Sequence, residues 1–196
     1  MYKQLLDTII QKNITRLNGL DKNLLYHSLE HTVDVMKQAE RIALLENISN
    51  EKDLFLLKVA ASYHDTGFLF TYKGHEERSG IIFKEDAQLY NFSHDDIKIV
   101  CGIIMATKLP QTPSTILEKI ICDADLDYLG REDFVTLSNK LRIEFLEYGI
   151  VRNDTDWEQM QFKFLTSHHF FTATSVREKN YLKQEHLSQI LASLPG

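Results

Sequence analysis

Only three prolines, at positions 110, 113 and 195, interrupt the 196 residues of this chain. Proline removes a backbone donor and clashes with the preceding helical turn, so residues 1–109 and 114–194 are free of the strongest helix breaker. Within them apolar residues recur at helical spacing. "LLYHSLEHTVDVMKQAERIALLE" reads as one long helix, and "EKDLFLLKVAASYHD" as another that stops near Gly67. "FLFTYKG" is a short aromatic connector to a helix over "HEERSGIIFKEDAQLY". Ser93 is the expected N-cap of "SHDDIKIVCGIIMAT", with acidic residues in its first turn. "TPSTILEKIICDAD" carries Pro113 near its first turn, and segments 131–149, 155–171 and 175–193 also read as helices. Runs such as "IKIV" are β-branched, but their flanks keep helical spacing. The expectation is an all-α, single-domain helical bundle of about eight helices over residues 1–196.

A chain of this length can bury a sizeable core. A net charge of −6 works against nonspecific binding to nucleic-acid polymers and to anionic membranes. The opening "MYKQLLDTIIQKNITRL" is amphipathic and lacks the apolar run of a signal peptide. No stretch approaches the roughly 18 consecutive apolar residues that a membrane span needs. Cys101 and Cys122 sit in apolar surroundings suited to free thiols, so a cytoplasmic location is expected.

Three places carry metal-capable side chains. His27 and His31 in "YHSLEH" are four apart, a spacing that stacks side chains on one helical face about 6 Å apart. His64 and Asp65 in "SYHDTGF" close the next helix. Asp123, Asp125 and Asp127 form "CDADLDYLG". Imidazole with carboxylate suits zinc, iron or manganese, and such a centre activates water and polarises a phosphoryl oxygen. Taken singly, each element also reads as a solvated helix face, a helix cap or an acidic turn. "DADLD" does not open an EF-hand, because Tyr128 stands where that loop needs glycine and Phe134 where it needs glutamate.

Taken in order, His31, His64-Asp65 and Asp123 resemble the HD superfamily of metal-dependent phosphohydrolases. "YHSLEHTVDV" further resembles the "YHN…H…DV" element of the cyclic-nucleotide phosphodiesterase branch, with Ser28 in place of the asparagine. The resemblance covers residues 26 to 130, and the helices of 131–196 are expected to pack on that core. It implies His31, His64, Asp65 and Asp123 as ligands of a divalent metal ion (Mn, Fe, Mg, Zn or Ni). It also implies His27 as the general acid, with Asp65 helping to orient the attacking water. In "GHEERSG", His75 falls where some members hold a second metal, and Glu76 or Glu77 could orient a water or a ligating imidazole. The following helix, "CGIIMATKLP", lacks the histidine that firmly binuclear members carry. Phe68 replaces a lysine of the cyclic-dinucleotide branch, whose Gly-Tyr-Pro element is also missing.

The expected activity is hydrolysis of a phosphomonoester or phosphodiester of a nucleotide or another small phosphorylated metabolite. Lys108 and Arg131 are the first candidates to bind the phosphate, followed by Arg177 and Lys179. A regulatory module that binds a metal or nucleotide without turnover is the rival. "HSLEH" also matches the H-x-x-E-H zinc-protease signature, with His27 and His31 on zinc and Glu30 as base, but that reading leaves "YHDTGF" and "DADLDYLG" unexplained. Expected partners are a small phosphorylated substrate, neither membrane nor nucleic-acid polymer, and compatibly a second copy in a homodimer. His168 and His169 are adjacent, so on a helix they point about 100° apart and cannot both face one site. Trp157, Phe162 and Phe164, with Met36 and Met105, read as core.

Overall fold

Short polar side chains start the helices by accepting otherwise unpaired backbone N–H groups. Ser28 caps through His31 N, Asn50 through Lys52 N and Asp53 N, Ser93 through Asp96 N, and Asn153 through Asp156 N. Thr115 and Glu118 form a reciprocal capping box. The computed structural model describes residues 2–193, and these contain nine α-helices and no strand. They are α1 (Tyr2–Leu17), α2 (Leu29–Leu45), α3 (Glu51–Tyr63), α4 (His75–Ala87), α5 (His94–Ala106), α6 (Ile116–Asp125), α7 (Phe134–Glu147), α8 (Asp154–Ser167) and α9 (Ala173–Ser193). Single 3₁₀ turns follow α3 at Thr66–Leu69 and α6 at Asp127–Gly130. The all-α expectation is met, with nine helices where about eight were expected.

Two boundaries differ from the sequence reading in ways that matter for chemistry. α2 begins after Ser28, so His27 lies outside the helix instead of one turn below His31 on its face. α6 begins after Thr115, so Pro113 precedes the helix. Gly67 does not end a helix through a left-handed conformation. It is required because a Cβ there would lie 1.9 Å from the His75 carbonyl oxygen. Its N–H donates to Ser79 Oγ at 2.8 Å, which clamps the "HDTG" turn against the start of α4.

Helix α2 packs on α3 and α6, and α3 packs on α1 and α5. Their shared core includes Ile42, Leu56, Leu57, Ile103, Ile120 and Ile121, all essentially without solvent contact. Each such burial contributes about 1.5–3 kcal/mol. A second apolar cluster joins Tyr26, Leu126, Tyr128, Leu129 and Phe134 to Leu165 and Phe170. Its Tyr26 ring lies 4.7 Å from that of His31, so the chemistry-bearing residues stand where the two clusters meet.

Buried charges tie the helices together. Asp86 of α4 accepts from Lys12 Nζ (2.7 Å) and Tyr63 OH (2.8 Å) and pairs with Arg16 (2.9 Å), joining α1, α3 and α4. Lys183 of α9 is 2% exposed and donates to the His168 carbonyl at the end of α8, where a cation complements the helix dipole. Asp127, 1% exposed, accepts from Lys179 Nζ at 2.8 Å and pairs with Arg41 at 3.4 Å. Among the described residues no helix is long and apolar enough to cross a membrane. Pro195 lies outside the described residues.

Burial pushes the Asp86 carboxyl up, but Lys12, Tyr63 and Arg16 together outweigh it and hold it below its ordinary value. A depressed pKa gives stability that is present above the ordinary carboxylate range and lost as pH falls through the folded value. Asp86→Ala should therefore lower unfolding stability by about 1–3 kcal/mol in urea titrations at neutral pH, because it leaves the buried Tyr63 hydroxyl and the half-buried Lys12 and Arg16 without their shared acceptor. The gap to wild type should narrow on acidification; a gap independent of pH would contradict this account.

Candidate metal centre and adjoining cavity

The end of α3 delivers His64 and Asp65 into a place with almost no solvent, where an unpaired charge is costly. His64 is 1% exposed and its Nδ1–H donates to the Ala61 carbonyl at 2.8 Å, which leaves Nε2 as the ligand nitrogen. That atom faces His31 Nε2 at 3.4 Å and Asp65 Oδ2 at 3.2 Å. Asp65 Oδ2 lies 3.4 Å from His31 Nε2 and is buried without a hydrogen-bond partner. His31, His64 and Asp65 offer ligand atoms that all lie within 4.8 Å of one another.

The fourth group is Asp125, not Asp123. Asp125 Oδ1 approaches His31 Nε2 at 3.1 Å and His64 Nε2 at 3.6 Å. Asp123, fully buried, turns away: it accepts from Phe171 N, Thr172 N and Thr172 Oγ1 at 2.8, 2.8 and 2.6 Å. Residues two apart on a helix point about 200° apart, so these two carboxylates cannot serve one centre. Asp123 instead anchors the turn between α8 and α9.

The electrostatics suit a cation. Burial raises the pKa of Asp125, but the His31 and His64 imidazoles outweigh it and bring it down to about 2. Asp65 is likewise held below the carboxylate range, against burial, by His64. Burial opposes a charged His64, yet Asp65 and Asp125 raise its pKa well above the ordinary value. A metal ion would replace that proton. An orphaned carboxylate oxygen, two imidazole nitrogens and a second carboxylate therefore fit a divalent cation.

Beside this cluster lies a histidine–glutamate pair that the sequence did not disclose. His27 Nδ1 donates to Oε1 of Glu144, which has no solvent exposure. Glu144 also accepts from Tyr26 N (2.9 Å), His27 N (3.1 Å) and Tyr72 OH (2.9 Å). Burial lowers the pKa of His27, but the Glu144 hydrogen bond and charge outweigh it and raise it overall. The His27 ring stands 5.9 Å from that of His31. Phe68 is stacked between two imidazoles, 4.4 Å from His27 and 3.8 Å from His75.

His75 Nδ1–H donates to the Tyr72 carbonyl at 3.0 Å, and Nε2 faces Asp65 Oδ1 at 3.6 Å. Asp65 thus presents one oxygen to the four-residue cluster and the other to His75. Glu76 is buried near His75, whereas Glu77 is exposed and paired with Lys108. The phosphate-binding expectations for Lys108 and Arg131 do not survive as free cations. Lys108 is committed to Glu77 at the surface, and Arg131 to Asp34 and Asp133. Lys179 is held by Asp127, and Arg177 is exposed beside Glu178. His168 leaves α8 in extended backbone, His169 follows it, and neither lines the central cavity. The protease geometry is also contradicted, since His27 lies off α2 and is turned to Glu144, while Glu30 is exposed.

A cavity of about 180 Å³ opens on His27, Asp65, His75, Glu76 and Asp125. A second of similar size reaches His31 and Asp125 from the far side of Tyr26 and Tyr128, where Arg131 and Lys140 stand. Compared with known proteins, residues 28–127 match the family model of the HD domain. Neither the curated proteins nor the solved structures contain a match to the chain.

Asp125→Ala should abolish stoichiometric metal in elemental analysis of the purified protein. Asp123→Ala should keep the metal and lower stability, and the reverse pattern would overturn the assignment. Because the cation displaces a proton from His64, metal affinity should weaken as pH falls, with proton release on binding measurable by calorimetry in buffers of different ionisation enthalpy.

Proposed function

Because the chain belongs to the HD-domain family, a superfamily of metal-dependent phosphohydrolases, we propose that it hydrolyses a small phosphate ester at this centre. The observation that carries the reading is the His27–Glu144 pair beside the His31, His64 and Asp65 cluster and Asp125, with His27, Asp65 and Asp125 opening on one cavity. A divalent ion held by His31, His64, Asp65 and Asp125 would supply water activation and polarisation of the phosphoryl oxygen.

The remaining work falls to the chain's own side chains. Glu144 fixes the tautomer and orientation of His27 and stabilises its charged form. His27 then gives its Nε2 proton to the leaving oxygen as the ester P–O bond breaks and the bond from water to phosphorus forms; the proton that this water loses passes to solvent, from which His27 is reprotonated. Asp65 accepts the hydrogen bond that aims the water, with Glu76 and His75 on the same wall. Phe68, packed between His27 and His75, keeps both rings in place and excludes water from between them.

Phosphate release from a panel of phosphate esters, nucleotides and cyclic nucleotides, assayed with Mn²⁺, Fe²⁺, Mg²⁺ and Zn²⁺, tests the reading. Release with at least one metal is expected. Stoichiometric metal without release from any ester would favour a binding module instead. His27→Ala should lower kcat by ~10²–10⁴-fold and retain the metal. Glu144→Gln removes the group that raises the His27 pKa. The alkaline limb of the rate profile should therefore move to lower pH, with metal content unchanged; an unmoved limb would sink the proton-donor role.

A further inference from the structure

The cavity beside the metal cluster is polar at one end only. Leu126 and Leu129 line it from the turn after α6, Leu141 and Phe145 from α7, and Trp157 and Phe164 from α8. Trp157 is 7% exposed and meets Phe145 edge-on at 5.7 Å, so this wall is packed. Among the described residues that line the cavity there is no lysine or arginine. Of the cations near the cluster, Lys108 pairs with Glu77 outside, while Arg131, held by Asp34 and Asp133, and Lys140 open on the other cavity. The amide of Gln161, the polar group at the apolar end, donates to Ser138 Oγ.

We propose that this chamber receives a compact apolar group, a single ring or a hydrocarbon of that size, carried as the leaving group of a phosphomonoester. The inference rests on the hydrolase reading for its phosphoryl end. Two observations carry it. An apolar cavity of roughly 150 Å³ takes a benzene ring, and the present cavity of about 180 Å³ matches a single ring in size. A polyphosphate would bring several negative charges past Glu76, Asp65 and Asp125 with no free cation on the wall to meet them. Discrimination therefore comes from hydrophobic burial of the ester's organic part, with one phosphoryl group at the cluster.

Trp157 is the single tryptophan of the chain, so its emission reports on this chamber alone. Titrating the full chain as purified with phenylphosphonate and with methylphosphonate, neither of which can be hydrolysed, isolates the apolar contribution. Phenylphosphonate should change Trp157 emission and bind at least about tenfold more tightly, the least that burying a ring supplies. Leu141→Asn should erase most of that preference, and Met160→Ser, at a half-exposed position of the rim, should narrow it without threatening the fold. Equal affinities, or no emission change with either phosphonate, would overturn the proposal. Release of phosphate from phenyl phosphate, glycerol phosphate and ATP is measured in parallel. Preferential phenylphosphonate binding without any hydrolysis would refute the hydrolase reading and leave the chamber standing. Hydrolysis with ATP preferred over phenyl phosphate would refute the chamber and leave the hydrolase.

Discussion

Two carboxylates and two imidazoles buried within hydrogen-bond reach of one another form the constraint on which this bundle is organised. A low-dielectric interior tolerates such a group only when its charges are balanced internally or by a cation. Asp65 Oδ2, buried beside two Nε2 atoms and without a hydrogen-bond partner, marks where that balance is incomplete. The surrounding packing serves to keep the four groups converged. The His64 tautomer is set by the Ala61 carbonyl, the "HDTG" turn is clamped on α4 by the close approach at Gly67, and Asp123 pins the α8–α9 turn from the opposite side of α6.

The molecule divides its labour along the chain. The part that matches the HD domain, residues 28–127, contains His31, His64, Asp65 and Asp125. The C-terminal helices add Glu144, which orders His27, and most of the apolar wall around Trp157. The candidate metal ligands and most of the apolar wall thus come from different segments, and both border one cavity. Glu144 joins them physically, since a single carboxylate accepts from Tyr26, His27 and Tyr72.

Much of this was legible in the sequence, and the misses have physical causes. The scarcity of proline and the 3.6-residue spacing disclosed the helices, and polar caps such as Ser93 disclosed where one begins. His31 and the His64-Asp65 pair stood out because metal-capable side chains followed apolar helices. Choosing among Asp123, Asp125 and Asp127 needed the rotational phase of α6, which a run of alternating aspartates does not reveal; the three point to a backbone turn, to the histidines and to the Lys179–Arg41 pair. His27 read as helical because its neighbours keep helical spacing, whereas Ser28 caps the helix one residue later. Glu144 carried no local signal at all: its partner is 117 positions away, and "IEFLEYG" resembles any amphipathic helix. Lys108 and Arg131 illustrate the same limit, because nothing local says which cations are already paired.

The central claim is that one divalent ion is held by His31, His64, Asp65 and Asp125. An anomalous difference map from crystals loaded with Mn²⁺ tests it most directly. The account predicts a peak bounded by the Nε2 atoms of His31 and His64, Asp65 Oδ2 and Asp125 Oδ1, with none beside Asp123. A peak at Asp123, or ordered side chains of these four residues with no peak among them, would contradict it.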